Sequence, residues 1–202
     1  MLARWREGGS RRDRRPFAWP RWIQARREDR GQHAAARAEV RAHAPIRPGE
    51  RLLAVARSAH GGVVAATDWA LYQQIGEAWV RLGWEHLNNA DWDAQRHVLV
   101  LTGLTPEVPA WTVLHLSRDW GLPALAFERV SWAKVVDQRV SLGGAGARVI
   151  ARRHRGEAPT WVVILDHGLD PADRGIRAGL QSAISELRRV TGVEVTAGPE
   201  FR

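Results

Sequence analysis

From Arg51 to Leu116 the chain is a succession of short apolar runs at period two, each cut off by a turn signal, and this punctuation limits the fold more than any other feature. Leu52-Leu53-Ala54-Val55-Ala56 and Val63-Val64-Ala65-Ala66-Thr67 flank His60-Gly61-Gly62 and predict a hairpin. Trp69-Ala70-Leu71-Tyr72 and Ala78-Trp79-Val80-Arg81-Leu82 predict a second around Gly76. Ala90-Asp91-Trp92, His97 to Leu101 and Trp111 to Leu116 continue the series. Strands this short and this regularly interrupted form an antiparallel meander that curls into a sandwich or a partly open barrel.

The last third changes pattern. Ala147 to Arg152 and Thr160 to Leu165 predict a strand pair joined by the polar loop Arg153 to Pro159. A closing helix runs from about Pro171 to Val190, with Asp170 as cap, Pro171 at its first position, Asp173 near its positive end and Gly192 as its stop. Ile176, Leu180, Ala183, Ile184 and Leu187 give that helix one apolar stripe. Leu125, Phe127, Val130, Ala133 and Val136 predict another helix over Pro123 to Gln138, although Val130 and Val135-Val136 leave strand open. Residues 1–32 show no sustained apolar period and read as a mobile arm, followed by a short alanine-rich helix from His33 to His43 that ends before Pro45. The expected organisation is a basic arm over 1–48, a β-rich core over 49–140 and a ββα extension over 141–202. The class is α+β: an antiparallel meander or partly open barrel with packed helices, plus that extension.

The chain has no cysteine, which excludes disulfides, thiolate metal sites, Fe–S clusters and a cysteine nucleophile. Its longest apolar runs fall far short of the roughly 20 residues of a membrane-spanning helix. Arginines recur through the N-terminus, unlike the apolar centre of a secretory signal, so the expected location is cytoplasmic. Of the net charge of +8, residues 1–50 carry +7, from 13 Arg against 6 acidic residues. Such asymmetry points to nucleic acid, an anionic lipid surface or an acidic protein partner. Lys134 is the only lysine, so the bias toward arginine also fits a GC-rich genome, and both origins of the charge stay open.

The groups that could carry chemistry do not converge. His86, Asp91 and Asp93 resemble a metal-ligand cluster, but Asp91 and Asp93 flank Trp92 in a strand, which sends both carboxylates to solvent and the ring inward. Asp166 and His167 are neighbours on an extended segment and point to opposite faces, and no serine lies in a nucleophile elbow. Gly143-Gly144-Ala145-Gly146 lacks the ending of a phosphate loop and precedes a strand, so it is expected to be a permissive turn. No catalytic, cofactor-binding or metal-ligating residue is therefore expected. Trp69, Trp79, Trp92, Trp111 and Trp161 fall in predicted strands as interior rings. Trp5, Trp19 and Trp22 lie instead among arginines. Arg11, Arg12, Arg14, Arg15, Trp19, Arg21, Trp22, Arg26 and Arg27 are the candidate surface for a partner or an anionic surface, through aromatic and charge contacts with headgroups or single-stranded nucleic acid. The alternative is that Phe17, Trp19 and Trp22 pack on the folded part.

Gly49-Glu50-Arg51-Leu52-Leu53-Ala54, then Thr67-Asp68-Trp69-Ala70-Leu71-Tyr72, then Trp84-Glu85-His86-Leu87 resemble the bacterial PH-like (pleckstrin-homology-like) domains, in which a Thr-Asp-x-Ala-Leu-Tyr strand precedes a Trp-Glu-x-Leu return. Over 50–192 the chain resembles a group of uncharacterised actinobacterial proteins with such a core. The resemblance implies a non-enzymatic scaffold for binding lipid headgroups, peptides or proteins. The segment after Leu142 goes beyond a minimal PH-like domain.

Overall fold

The computed structural model describes residues 21–142, 144–193 and 200–201. β1 (Leu52–Arg57), β2 (Val63–Thr67), β3 (Ala70–Ile75) and β4 (Ala78–Gly83) pair in chain order, all antiparallel. A 3-10 turn at Trp84–His86 leads into a second antiparallel sheet of β5 (Leu87–Asp93), β6 (Val98–Gly103) and β7 (Trp111–His115). The two sheets meet at one corner, where Ser58 bridges Leu116 and the Ala59 amide donates to the His115 carbonyl over 2.7 Å; the described strands close no barrel.

Alternation along these strands turns Val64, Ala66, Leu71, Leu82, Leu99, Leu101 and Leu114 inward around Trp84. The open side is filled by α2 (Leu122–Ala133), whose Leu122, Ala126, Val130 and Ala133 join the same core. Pro123 suits the first turn of α2, where its missing N–H leaves no bond unmade.

The third sheet is β8 (Lys134–Leu142), β9 (Ala145–Arg152) and β10 (Thr160–Leu165), antiparallel, with the short β11 (Glu200–Phe201) parallel to β10. One face packs Val149, Ala151, Trp161 and Val163 under Leu180 and Ile184 of α3 (Arg174–Thr191). The other puts Ile150 and Val162 on Leu104, which follows β6. Burial on both faces explains why β10 reads as an uninterrupted apolar run.

α1 (Arg21–His43) lies on the outer face of the first sheet, with Ala36 and Val40 wholly buried against Val55, Val63, Ala65, Ala70 and Tyr72. Polar and aromatic contacts complete the docking: Asp29 pairs with Arg118 (3.0 Å), His33 meets the edge of Trp120 (4.8 Å), and Glu39 pairs with Arg57 (3.1 Å).

Four expectations need correction. Residues 21–32 belong to a helix rather than to a mobile arm; two small apolar side chains plus ion pairs suffice to dock it, so no apolar period marks it. The helix expected over Pro123 to Gln138 stops at Ala133, because Val135 and Val136 enter the strand that β9 needs as partner. α3 begins after Asp173, whose Oδ1 accepts the Ile176 amide (3.0 Å), while Asp170 instead accepts the Ala172 amide (2.8 Å) in the preceding turn. Trp111 is 70 % exposed on the edge strand, whereas Trp161 fills the interior as expected.

Candidate functional site

The densest polar cluster of the described residues is built by the motif residues themselves. The Glu50 carboxylate, its side chain fully buried, accepts hydrogen bonds from the Thr67 hydroxyl (2.7 Å), the Tyr72 hydroxyl (3.0 Å) and the Arg81 guanidinium (3.0 Å). Thr67 Oγ1 also accepts the amides of Trp69 (3.2 Å) and Ala70 (2.9 Å), which fixes the tight turn between β2 and β3. Asp68 pairs with Arg51 through both the backbone amide (2.9 Å) and Nε (3.1 Å), and those bonds hold its carboxyl below the usual range against a partial burial that would raise it. Trp84 Nε1 donates to the Thr67 carbonyl (3.0 Å). Burial pushes the Tyr72 hydroxyl up, with the neighbouring Glu50 charge adding to it. Every polar member has a partner that fixes the β2–β3 turn to the strands around it, so the motif is a structural knot.

Beside it, Arg152 crosses from β9 to the first unit and donates to the carbonyls of Trp84, Glu85 (3.0 Å) and Leu87. The Trp84 carbonyl also accepts the Leu87 amide that closes the 3-10 turn, so the guanidinium joins the turn to the start of β5. Burial pushes the Arg152 guanidinium down to about 10, with Glu85 and Asp137 opposing that shift. His86 sits at the rim of this junction: its Nδ1 is 2.8 Å from the Thr105 hydroxyl, Glu85 and Glu107 approach to 3.6 Å each, and the His154 ring is 6.1 Å away. Burial holds the His86 imidazole below its ordinary value although both carboxylates favour its charged form.

The other sequence candidates separate as follows. Asp91 is held by Asn89 (2.8 Å), and Asp93 caps the β5–β6 turn through the amides of Gln95 (2.9 Å) and Arg96 (3.0 Å); neither approaches His86 as a ligand set, and no group of three potential ligands occurs among the described residues. Asp166 accepts Arg139 (2.6 Å) and the Gly146 amide (2.9 Å), away from the exposed His167. Gly144, at φ +102°, lies in the turn between β8 and β9 as expected.

Arg11, Arg12, Arg14, Arg15 and Trp19 lie outside the described residues, and Arg21, Trp22, Arg26 and Arg27 are placed in α1 by their backbone alone. Further along α1, Arg30 and Arg41 are exposed and Arg37 half-buried, and none of the three makes an ion pair among the described residues. At 100° per residue they fall within an arc of about 40° and extend over about 16 Å of helix. The arginines in and just beyond β9 behave differently. Arg148 is held by Asp137 in a two-point pair (2.7 and 2.6 Å), Arg152 is buried, Arg153 stacks on Trp132 (4.4 Å) and Arg155 faces Glu50 (4.0 Å). Arg152 is thus interior, while Arg148, Arg153 and Arg155 are half-buried and each has a partner within the molecule.

Two further surfaces escape sequence reasoning. Trp111 and Val113 stand exposed along β7, an edge of the second sheet. At the far end of β7 a cleft of about 450 Å³ opens between β3 and the sheet corner, lined among others by Glu39, His60, Gln74, Ile75, Val113 and His115. Residues 55 positions apart carry no spacing signal for such a juxtaposition. No helix of the described residues is long and apolar enough to cross a membrane. No protein-family model matches the chain, and no curated protein matches it.

Proposed function

We propose that this chain is a non-enzymatic PH-like interaction module that engages a protein partner or an anionic surface. The seven-stranded meander, split four and three with α2 packed into its open side, supports the PH-like reading. The observation that carries the anionic partner is the line of Arg30, Arg37 and Arg41 along α1, held in place by the docking of Ala36 and Val40 and without carboxylate partners among the described residues. Charge that is fixed on a rigid helix and left uncompensated attracts polyanions at low entropic cost.

A second reading, nucleic-acid binding through the same arginines, is favoured by one feature. The apolar positions Ala36 and Val40 are used against the sheet, which leaves this part of α1 no apolar face to insert into a bilayer. The test compares the full chain with Arg30→Ala/Arg37→Ala/Arg41→Ala on anionic vesicles, neutral vesicles and a single-stranded oligonucleotide, each at low and physiological salt. The triple variant is expected to lose at least tenfold in affinity for one anionic probe and to show a shallower salt dependence, by about two in the log–log slope for the single-stranded oligonucleotide. Unchanged affinity and slope on every probe would remove α1 from the binding surface.

A further inference from the structure

We propose that His60 and His115 form a two-imidazole clamp for a divalent transition metal, zinc or copper. The backbone brings them together: the Ser58–Leu116 bridge, the Ala59 amide on the His115 carbonyl (2.7 Å) and the Ser117 amide on the Arg57 carbonyl (2.9 Å) lock the β1–β2 turn to the end of β7. The two rings then lie with centroids 4.9 Å apart and planes inclined at 71°. Two imidazoles bound to one ion at about 2.0–2.1 Å place their ring centres about 4.5 Å apart at a right angle and about 5.2 Å apart at a tetrahedral one. The observed separation falls between these limits.

The contrast with the chain's other close histidine pair strengthens the assignment. His86 and His154 each have a ring nitrogen tied to a threonine hydroxyl, at 2.8 and 2.7 Å, and their centroids are 6.1 Å apart. His60 and His115 are exposed, and no hydrogen bond from either ring occurs among the described residues, so the ring nitrogens are not committed to another partner there. They border the cleft that also holds Glu39, which is already paired with Arg57 (3.1 Å), and Gln74, whose Oε1 accepts the Val63 amide (3.1 Å). No third histidine or carboxylate completes a ligand set among the described residues. The remaining coordination positions belong to water or to a donor from a partner, as in sites that keep an open position. Imidazole suits zinc and copper and disfavours magnesium and calcium, which require oxygen ligands. This assignment does not depend on the α1 surface.

Calorimetric titration of the full chain with zinc and with copper, beside magnesium, tests it, together with the imidazole signals in NMR spectra. One equivalent of zinc or copper is expected to bind with the His60 and His115 resonances shifting together, and magnesium is expected not to bind. His60→Ala and His115→Ala should each weaken binding at least tenfold, while His97→Ala leaves it unchanged. Acidification should weaken binding, because protons compete with the metal for ring nitrogens. Absence of zinc and copper binding, equal binding by the His60→Ala/His115→Ala variant, or shifts confined to other histidines would overturn the proposal.

Discussion

Arg152 and His86 occupy the same junction and respond to different perturbations. Arg152 donates to three backbone carbonyls around the 3-10 turn, and it makes no ion pair among the described residues. Removing the side chain strands buried acceptors, whereas its own desolvation already costs stability. Arg152→Ala is therefore expected to destabilise by about 3–5 kcal/mol in urea unfolding, and Arg152→Lys by less, because an ammonium replaces some of the bonds. A loss below about 1 kcal/mol would show that the carbonyls find other partners. His86 sets a pH dependence of determinate sign. Its folded value is depressed, chiefly by burial, while Glu85 and Glu107 pull the other way and His154 and Arg81 add to the depression. Below its unfolded value near 6.5 the unfolded chain thus binds more protons at this position than the folded one. The contribution is fully present above that pH and is lost as pH falls through the folded value. Thermal unfolding between pH 7.5 and 5.5 should show a smaller decline in Tm for His86→Gln than for the natural chain; equal declines would assign the dependence elsewhere.

Among its described side chains, α1 buries only Ala36 and Val40 fully against the first sheet. Val40→Asp would place a carboxylate in the apolar contact with Val55 and Val63, and is expected to undock the helix while the sheets stay folded. Limited proteolysis checks this: cleavage within 21–43 should accelerate at least tenfold, with the 50–193 portion resistant. Cleavage spread over the whole chain would show instead that α1 is part of the cooperative core. The same economy of contact explains what the sequence could and could not reveal. β1 to β7 were legible because alternation and turn residues coincide, as at Gly76, which takes φ +61° between β3 and β4. β8 was only half legible: Val135-Val136 left strand open, but its entry follows a helix with no stop residue between them, and pairing with β9 decides it. Trp111 misled because the period-two pattern gives two faces without saying which is covered at a sheet edge. The Glu50 knot was visible only as a motif; that it ties Thr67, Tyr72 and Arg81 into one network needed the fold.

At the scale of the whole molecule, the third sheet is bound to the first two by an apolar seam and a polar one. Leu104 packs on Ile150 and Val162, and next to it Arg148 reaches Asn88 (3.2 Å) while Arg152 reaches the 3-10 turn. Neither unit can present this face to water without exposing apolar side chains and, on the β9 side, the Arg152 guanidinium, whose acceptors lie across the seam. The two units are therefore expected to unfold as one. Leu104→Ala, which leaves a cavity at the centre of the seam, should cost about 2–5 kcal/mol. The informative measurement is where that loss is felt. In amide hydrogen exchange, protection should fall by the same free energy in β5 and β6 as in β9 and β10, because both report the same global opening. If protection falls only in β8 to β10, the third sheet opens by itself, and the seam joins two independently stable units.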